Sequence, residues 1–207
     1  MSTEPQTTEA KIKEAATKVF LNKGFDGTTT RAIAQESGMN LALVNYYFRS
    51  KEKLFTEIFA DMIRLFMEGM VNVFNLPIGL KEKIHMLIDH DYEMFKNNPD
   101  LVIFVISEVH RNPDRFFNMV QLNLFKPIFE KNSALHLQFE ESIHRGHIKP
   151  ISVDNAMFLI MSSMQTLFST KALMMQLNDM NEAEFDSFAE AQKEITKEMV
   201  INYLFDK

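Results

Sequence analysis

Within residues 45–53, Asn45, Tyr46, Tyr47, Arg49, Lys51 and Lys53 bring together an amide, two phenols and three cations. An amide pairs with an adenine edge through two hydrogen bonds, while phenols and cations grip phosphates. Just upstream, Thr29, Thr30 and Arg31 add two hydroxyls and another cation, and Ala42 offers a methyl group suited to a thymine methyl. Together these residue types point to recognition of a nucleic-acid duplex.

Two other clusters invite a chemical reading and carry less. His136, Glu140 and His144 stand at i, i+4 and i+8 with His147 close by, and such types bind zinc or nickel. The segment is charged and precedes a loop, so it reads as an exposed helix end, and no metal is expected. Asp89, His90 and Asp91 read as a solvated patch rather than an acid/base pair. The chain has no Cys, no phosphate-binding glycine loop, no serine nucleophile elbow and no HExxH. Catalysis and a cofactor are therefore not expected.

The candidate recognition residues need a short helix to aim them. Ile12, Ala15, Ala16, Val19 and Phe20 recur at helical spacing, with Thr7 or Thr8 as cap and Gly24 suited to a left-handed C-cap. Thr29 caps a second helix whose Ile33 and Ala34 face inward. Ser37-Gly38-Met39 is a tight turn, and Asn40 caps a third helix over Leu41–Tyr47. Val44 and Phe48 share its inner side, leaving Leu41, Ala42, Asn45 and Tyr46 outward. Two short helices joined by a glycine turn form a helix-turn-helix, whose second helix enters the major groove.

The segment FLNKGFDGTTTRAIAQESGMNLALVNYYFRSKEKLF resembles the amino-terminal domain of the tetracycline-repressor (TetR) family of transcriptional regulators. The resemblance rests on Phe20, Gly24-Phe25, Thr28-Thr29, Ile33-Ala34, Gly38, Tyr47-Phe48 and Ser50-Lys51-Glu52-x-Leu54, and covers roughly residues 8–68. It implies that Thr29, Thr30 and Arg31 approach the DNA backbone or groove edge. Asn40, Leu41, Ala42, Leu43 and Asn45 correspond to the groove-facing helix, and Tyr47 and Lys51 to phosphate contacts. The chain departs from the family at Asn45, where Tyr is usual, and at Tyr46, where a polar or basic residue is usual.

Net charge is −6, unevenly spread: residues 1–53 hold eight Lys/Arg and six Asp/Glu (+2), and residues 54–207 hold fourteen and twenty-two (−8). A mildly basic head on an acidic body suits contact with phosphates at one end. Few glycines and prolines (six each) disfavour a β-sandwich, and no apolar run is longer than Leu101–Ile106, too short for a membrane span. The polar, acidic first ten residues do not resemble a signal peptide, and a cytoplasmic protein without membrane association is expected.

The fold class expected is all-α: a helix-turn-helix domain over residues 1–53, with the start of helix four to about 68, then a helical effector-binding and dimerisation domain over 54–207. Helices are predicted over Lys51–Phe74, Leu80–Lys96, Leu101–His110, Asp114–Arg145 with a break at Pro127, Val153–Leu177 and Glu184–Phe205. Leu54, Ile58, Met62, Leu65 and Phe66 are placed inward on helix four.

Fifteen Met and nineteen Phe are a heavy load of adaptable and flat apolar side chains. Phe66, Met70, Met86, Met94, Phe95, Phe104, Met119, Phe125, Phe129, Met161 and Phe168 are candidates to line a cavity for a small apolar or amphipathic effector. The last two long helices are apolar on more than one side, and the family resemblance also implies a two-fold dimer through a four-helix bundle. Met157, Met161, Met164, Phe168, Phe185, Phe188, Ile195 and Met199 are candidates for that interface.

The reading is a homodimeric, ligand-responsive repressor that binds a palindromic operator on double-stranded DNA and releases it when an effector binds. The alternative is an all-helical ligand-binding or enzymatic protein whose helix-turn-helix is structural. The Arg49/Lys51/Lys53 cluster beside Asn45 and Tyr46 favours the first.

Overall fold

The computed structural model describes residues 7–115 and 133–206, and every regular element among them is helical. Met119, Phe125, Phe129 and the expected break at Pro127 lie outside the described residues. Two compact units emerge. The first contains residues up to Leu65 together with Phe104 onward to 115, and the second contains Phe66–Ile103 and 133–206. The first unit runs past residue 53 into the start of the fourth helix. The start of α4 buries Leu54, Phe55, Ile58 and Phe59 in the first unit, and Phe104 returns to join them.

In the first unit, α1 (Thr8–Gly27), α2 (Thr30–Ser37), α3 (Leu41–Tyr47) and the first half of α4 (Lys51–Phe74) enclose one core. The α1 stripe of Ile12, Ala15, Ala16, Val19 and Phe20 is buried as the spacing predicts. Gly24 breaks α1 with φ +67° and ψ 177°, a conformation that L side chains rarely adopt, and this turns Phe25 inward. The Phe55 ring meets Phe20 and Phe25 edge-on at 5.0 and 4.9 Å, the geometry that aromatic quadrupoles favour.

In the second unit, α5 (Leu80–Asn97) packs against α8 (Val153–Ser169) and α10 (Glu182–Phe205), with α7 (Ala134–His144) beside them. The helix α6 (Pro99–Arg111) begins in this unit and ends in the first. The core is drawn from Leu80, Ile84, Leu87, Ile88 and Tyr92 of α5, Phe139 of α7, Ile160, Met164 and Phe168 of α8, and Phe185 of α10. No helix among the described residues is long and apolar enough to cross a membrane.

Three expectations are corrected. Leu65 is 66% exposed rather than inward, since Phe66 and Met67 take the buried face at that turn. The predicted helix Val153–Leu177 is two helices, α8 and α9 (Lys171–Leu177), which part at Thr170. There Ser169 and Thr170 hydroxyls both donate back to the Thr166 carbonyl, at 3.3 and 2.7 Å, and compete with the helical ladder. Asp91 is not part of a solvated patch: it is fully buried, on the same stripe as Leu80, Ile84 and Leu87.

Burial pushes the Asp91 carboxyl from the ordinary 3.8 up to about 8. Between those values the folded chain keeps a proton that the unfolded chain has released, so stability falls as pH rises from about 4 to about 8. Asp91→Asn is expected to flatten that decline, by at most roughly 1.4 kcal/mol per pH unit. Urea denaturation at pH 5 and pH 8 checks this; parallel losses in the variant and the parent would contradict it.

Candidate nucleic-acid interface

Three side-chain caps and one glycine turn set the interface. Thr29 Oγ1 accepts from Ala32 N at 3.1 Å to start α2, and Asn40 Oδ1 accepts from Leu43 N at 2.8 Å to start α3. Thr7 starts α1 in the same way, accepting from Ala10 N. Between α2 and α3, Gly38 is left-handed (φ +67°, ψ 16°). Met39 N donates to Ala34 O at 3.0 Å and Gly38 N to Gln35 O at 3.3 Å. This closed helix end needs the positive φ that glycine supplies.

On α3, Val44 and the following Phe48 are buried, at 0% and 3% exposure. The opposite side carries Ala42, Asn45, Tyr46 and Tyr47, all exposed, with Leu41 and Leu43 half-buried at its flanks. Tyr46 is 78% exposed and stands edge-on to Tyr47 at 5.4 Å. An exposed phenol pair beside a free amide is a hydrogen-bonding surface with little reason to exist in a packing unit. Asn40 and Thr29 have a second part to play: their oxygens are used by the caps, which leaves the Asn40 amide nitrogen and the Thr29 hydroxyl proton to face outward.

Arg31 and Arg49 are exposed and form no ion pair among the described residues, and Thr30 is half-buried at the start of α2. Lys53 is exposed and lies 3.9 Å from Glu57. Lys51 departs from its expected role as a phosphate contact. Its ammonium donates to the carbonyls of Phe25 and Thr28, at 2.9 and 3.0 Å, and lies 4.1 Å from the centre of the Phe25 ring. Its charge closes the end of α1 onto α4. Sequence reasoning missed the partners of that closure, Glu108 and Arg115. Glu108 Oε1 accepts from Phe25 N at 3.1 Å, and the Arg115 guanidinium lies 3.7 Å from the same ring and 3.5 Å from Glu108 Oε2. No local pattern signals a contact across 83 residues.

The effector and dimer candidates divide by their surroundings. Of the cavity candidates, Phe66, Met70 and Phe168 are buried in the second unit, and Met94, Phe95 and Met161 are half-buried there. Met86 is 41% exposed on the outer side of α5, and Phe104 belongs to the first unit, against Phe55 and Phe59. Neither lines a second-unit interior. Of the interface candidates, Met157, Met164, Phe168 and Phe185 are buried within the chain itself, Met161 and Phe188 are half-buried, and Ile195 and Met199 are exposed. The exposed apolar side chains on these helices are instead Phe158 (72%), Leu159, Ile195, Met199 and Tyr203. Helical spacing shows that a helix has two apolar faces without showing which one the same chain covers. Among the described residues no group of His, Asp and Glu is placed to hold a metal ion.

The fold and this surface define a helix-turn-helix DNA-binding protein. Residues 12–58 match the family described as bacterial regulatory proteins, tetR family. The HTH-type transcriptional regulator YhgD of Bacillus subtilis is 25% identical over 150 residues, spanning 72% of this chain and 76% of that protein. A TetR family transcription regulator from Marinobacter aquaeolei superposes with a TM-score of 0.69 at 15% identity, over 97% of this chain and 96% of that one. FadR of Bacillus subtilis, in complex with stearoyl-CoA, superposes with a TM-score of 0.62 at 20% identity, over 90% and 96%. Residues 12–58 thus carry the amino-terminal domain of the TetR family, and over most of its length the chain is similar to helix-turn-helix transcriptional regulators.

The different surroundings of the basic residues predict different losses. Lys51→Ala removes two charge-assisted hydrogen bonds and is expected to lower stability by about 1–3 kcal/mol. Arg49→Ala is expected to leave stability within about 0.5 kcal/mol while reducing the salt slope of DNA binding by about 1. Thermal melts beside salt titrations separate the two. Equal effects of both substitutions on both readouts would refute the assignment.

Proposed function

We propose that this chain is the subunit of a cytoplasmic, homodimeric repressor that leaves a palindromic operator when a small apolar or amphipathic effector binds its second unit. The observation that carries the reading is the outward side of α3, where Ala42, Asn45, Tyr46 and Tyr47 are exposed on a rigid three-helix base. Asn45 reads a base edge and Ala42 a thymine methyl, while Tyr47, Thr29, Thr30, Arg31 and Arg49 hold the flanking phosphates. Asn40, Leu41 and Leu43 border the groove, and Tyr46 extends farthest into it.

A single short helix reads too few base pairs for useful specificity, so a two-fold pair of subunits presents two α3 helices to half-sites about 34 Å or a multiple apart. The pairing surface is the exposed apolar face of α8 and α10: Phe158, Leu159, Ile195, Met199 and Tyr203. Beside it Ser162, Ser163 and Thr166 are small enough for helices to approach closely. This face replaces the buried residues of the sequence expectation.

The effector acts through α4 and α6, the helices that contribute residues to both units. α6 ends at the Glu108–Phe25 hydrogen bond, so a change in its position reaches the end of α1 directly. A coupling of about 1–3 kcal/mol between effector and operator corresponds to roughly 5–150-fold loss of DNA affinity. FadR of Bacillus subtilis, of the same fold, is held in complex with the amphipathic stearoyl-CoA, which supports an amphipathic effector class.

Fluorescence titration with the DNA upstream of the chain's own coding region tests this reading. The expected result is a preference for an inverted repeat and an affinity that falls steeply with salt. Met199→Glu is expected to shift the protein to monomer in sedimentation and to weaken operator binding at least about tenfold. Salt-independent binding without preference for an inverted repeat would overturn the proposal.

A further inference from the structure

The regulatory reading makes no use of Asp91. The residue is 0% exposed, and neither carboxylate oxygen has a hydrogen-bond partner among the described residues. It lies on α5 one turn beyond Leu87 and Ile88 and beside buried Tyr92, toward the end of the stripe that faces the second unit's interior. Neighbouring cations are committed elsewhere. Lys83 donates to Phe74 O at 2.7 Å, Lys193 pairs with Glu190 and Asp89, and Lys197 pairs with Asp89 at 2.6 Å. The His90 imidazole turns to Phe66 O at 3.0 Å and stacks on the Phe66 ring. The Glu190 carboxylate, on α10, faces Tyr92 and Lys193.

Packing does not explain an acid at this position. A leucine there would bury apolar surface without leaving lone pairs unsatisfied, so the acid costs stability in the empty protein. A buried carboxyl without a partner, held partly protonated by its surroundings, is the signature of a group that waits for something. What it lacks is a donor, and the donor that offsets a buried carboxylate most fully carries a positive charge.

We propose that Asp91 is the anchor for the cationic head of an amphipathic effector of the alkylammonium class, whose chain lies among the apolar side chains of the second unit; the inference rests on the effector reading above. Binding exchanges a proton for the ligand: as the ammonium arrives, the Asp91 carboxyl ionises, its proton leaves to solvent, and a neutral buried pair results. Nearby aromatic rings favour the same charge, with Phe66 stacked on Phe95 and Tyr92 tilted against Phe168. The net −8 of residues 54–207 draws cations toward this part of the chain. An anionic head group meets a second negative charge in a medium that screens it poorly.

The test uses one chain length with three heads: dodecylammonium, dodecanol and dodecanoate, below micelle-forming concentrations, measured by calorimetric titration on the full chain. Dodecylammonium is expected to bind at least about tenfold more tightly than the other two. Asp91→Asn is expected to remove that advantage, so that dodecylammonium and dodecanol bind the variant within about twofold of each other. Circular dichroism establishes that the variant is folded, and if it is not, the head-group ranking on the parent decides alone. Equal binding of all three, or tighter binding of dodecanoate, overturns the cation proposal and leaves the effector reading standing. Binding of none removes the proposal along with the apolar site it needs. A preference for ammonium that survives in Asp91→Asn also overturns it, because the charge is then read by another group.

Discussion

The first unit is organised around Phe25. Its N–H is held by Glu108, its carbonyl by Lys51, and its ring lies between two cations, with Lys51 Nζ at 4.1 Å and Arg115 Cζ at 3.7 Å from the ring centre. Each charge-assisted hydrogen bond contributes about 1.5–3 kcal/mol, and each cation–ring contact about 0.5–2. These terms are not additive, because one side chain serves several of them. The arrangement depends on Gly24, whose φ of +67° turns the chain so that Phe25 points inward. A Cβ at that position would crowd Arg111 and Glu108 at 3.1 and 3.3 Å, so glycine is needed both for its backbone angle and for space. With the end of α1 fixed in this way, α2 and α3 follow through short capped turns, and the exposed side of α3 is aimed.

Much of this was legible in the sequence because it is local. The first cap at Thr7 or Thr8, the caps at Thr29 and Asn40, the tight turn at Gly38 and the α1 stripe all follow from local rules of spacing and residue type. What was not legible depends on partners distant along the chain. Lys51 has the residue type and spacing of a phosphate contact, and only the carbonyls of Phe25 and Thr28, more than twenty residues earlier, show that its charge is used internally. Met157, Met164 and Phe185 share their apolar character with Phe158 and Met199. The difference between core and surface lies in which face α5 covers, and periodicity does not encode that.

Asp91 belongs to the same class of error with the opposite sign. In a run of Asp89, His90 and Asp91, a solvated patch is the natural reading, and Asp89 does meet Lys197 near the surface. Two residues further along a helix is about 200° around it, so the second carboxylate points the other way, into the apolar stripe. Adjacent acids on one helix therefore have unlike environments and unlike chemistry. One is an ordinary ion-pair partner, and the other is pushed up to about 8 by burial alone.

A ligand-controlled switch must have states whose energies lie within a few kcal/mol of each other, because an effector can shift an equilibrium only by its differential affinity. A second unit packed solely with leucine and phenylalanine, each polar atom satisfied, would be stable and poorly responsive. An unpartnered acid raises the energy of the empty state without disturbing the aromatic core around Phe55, which lies in the other unit. The first unit, by contrast, has its buried charges paired: Glu108 with Arg115 and with the Phe25 N–H. Paired charges thus lie in the unit that carries the helix-turn-helix, and the unsatisfied acid lies in the other; on the proposed reading, the first meets base edges and the second admits a small molecule. The division follows from what each task requires of a helix, which is to hold still in one case and to leave a vacant interaction in the other.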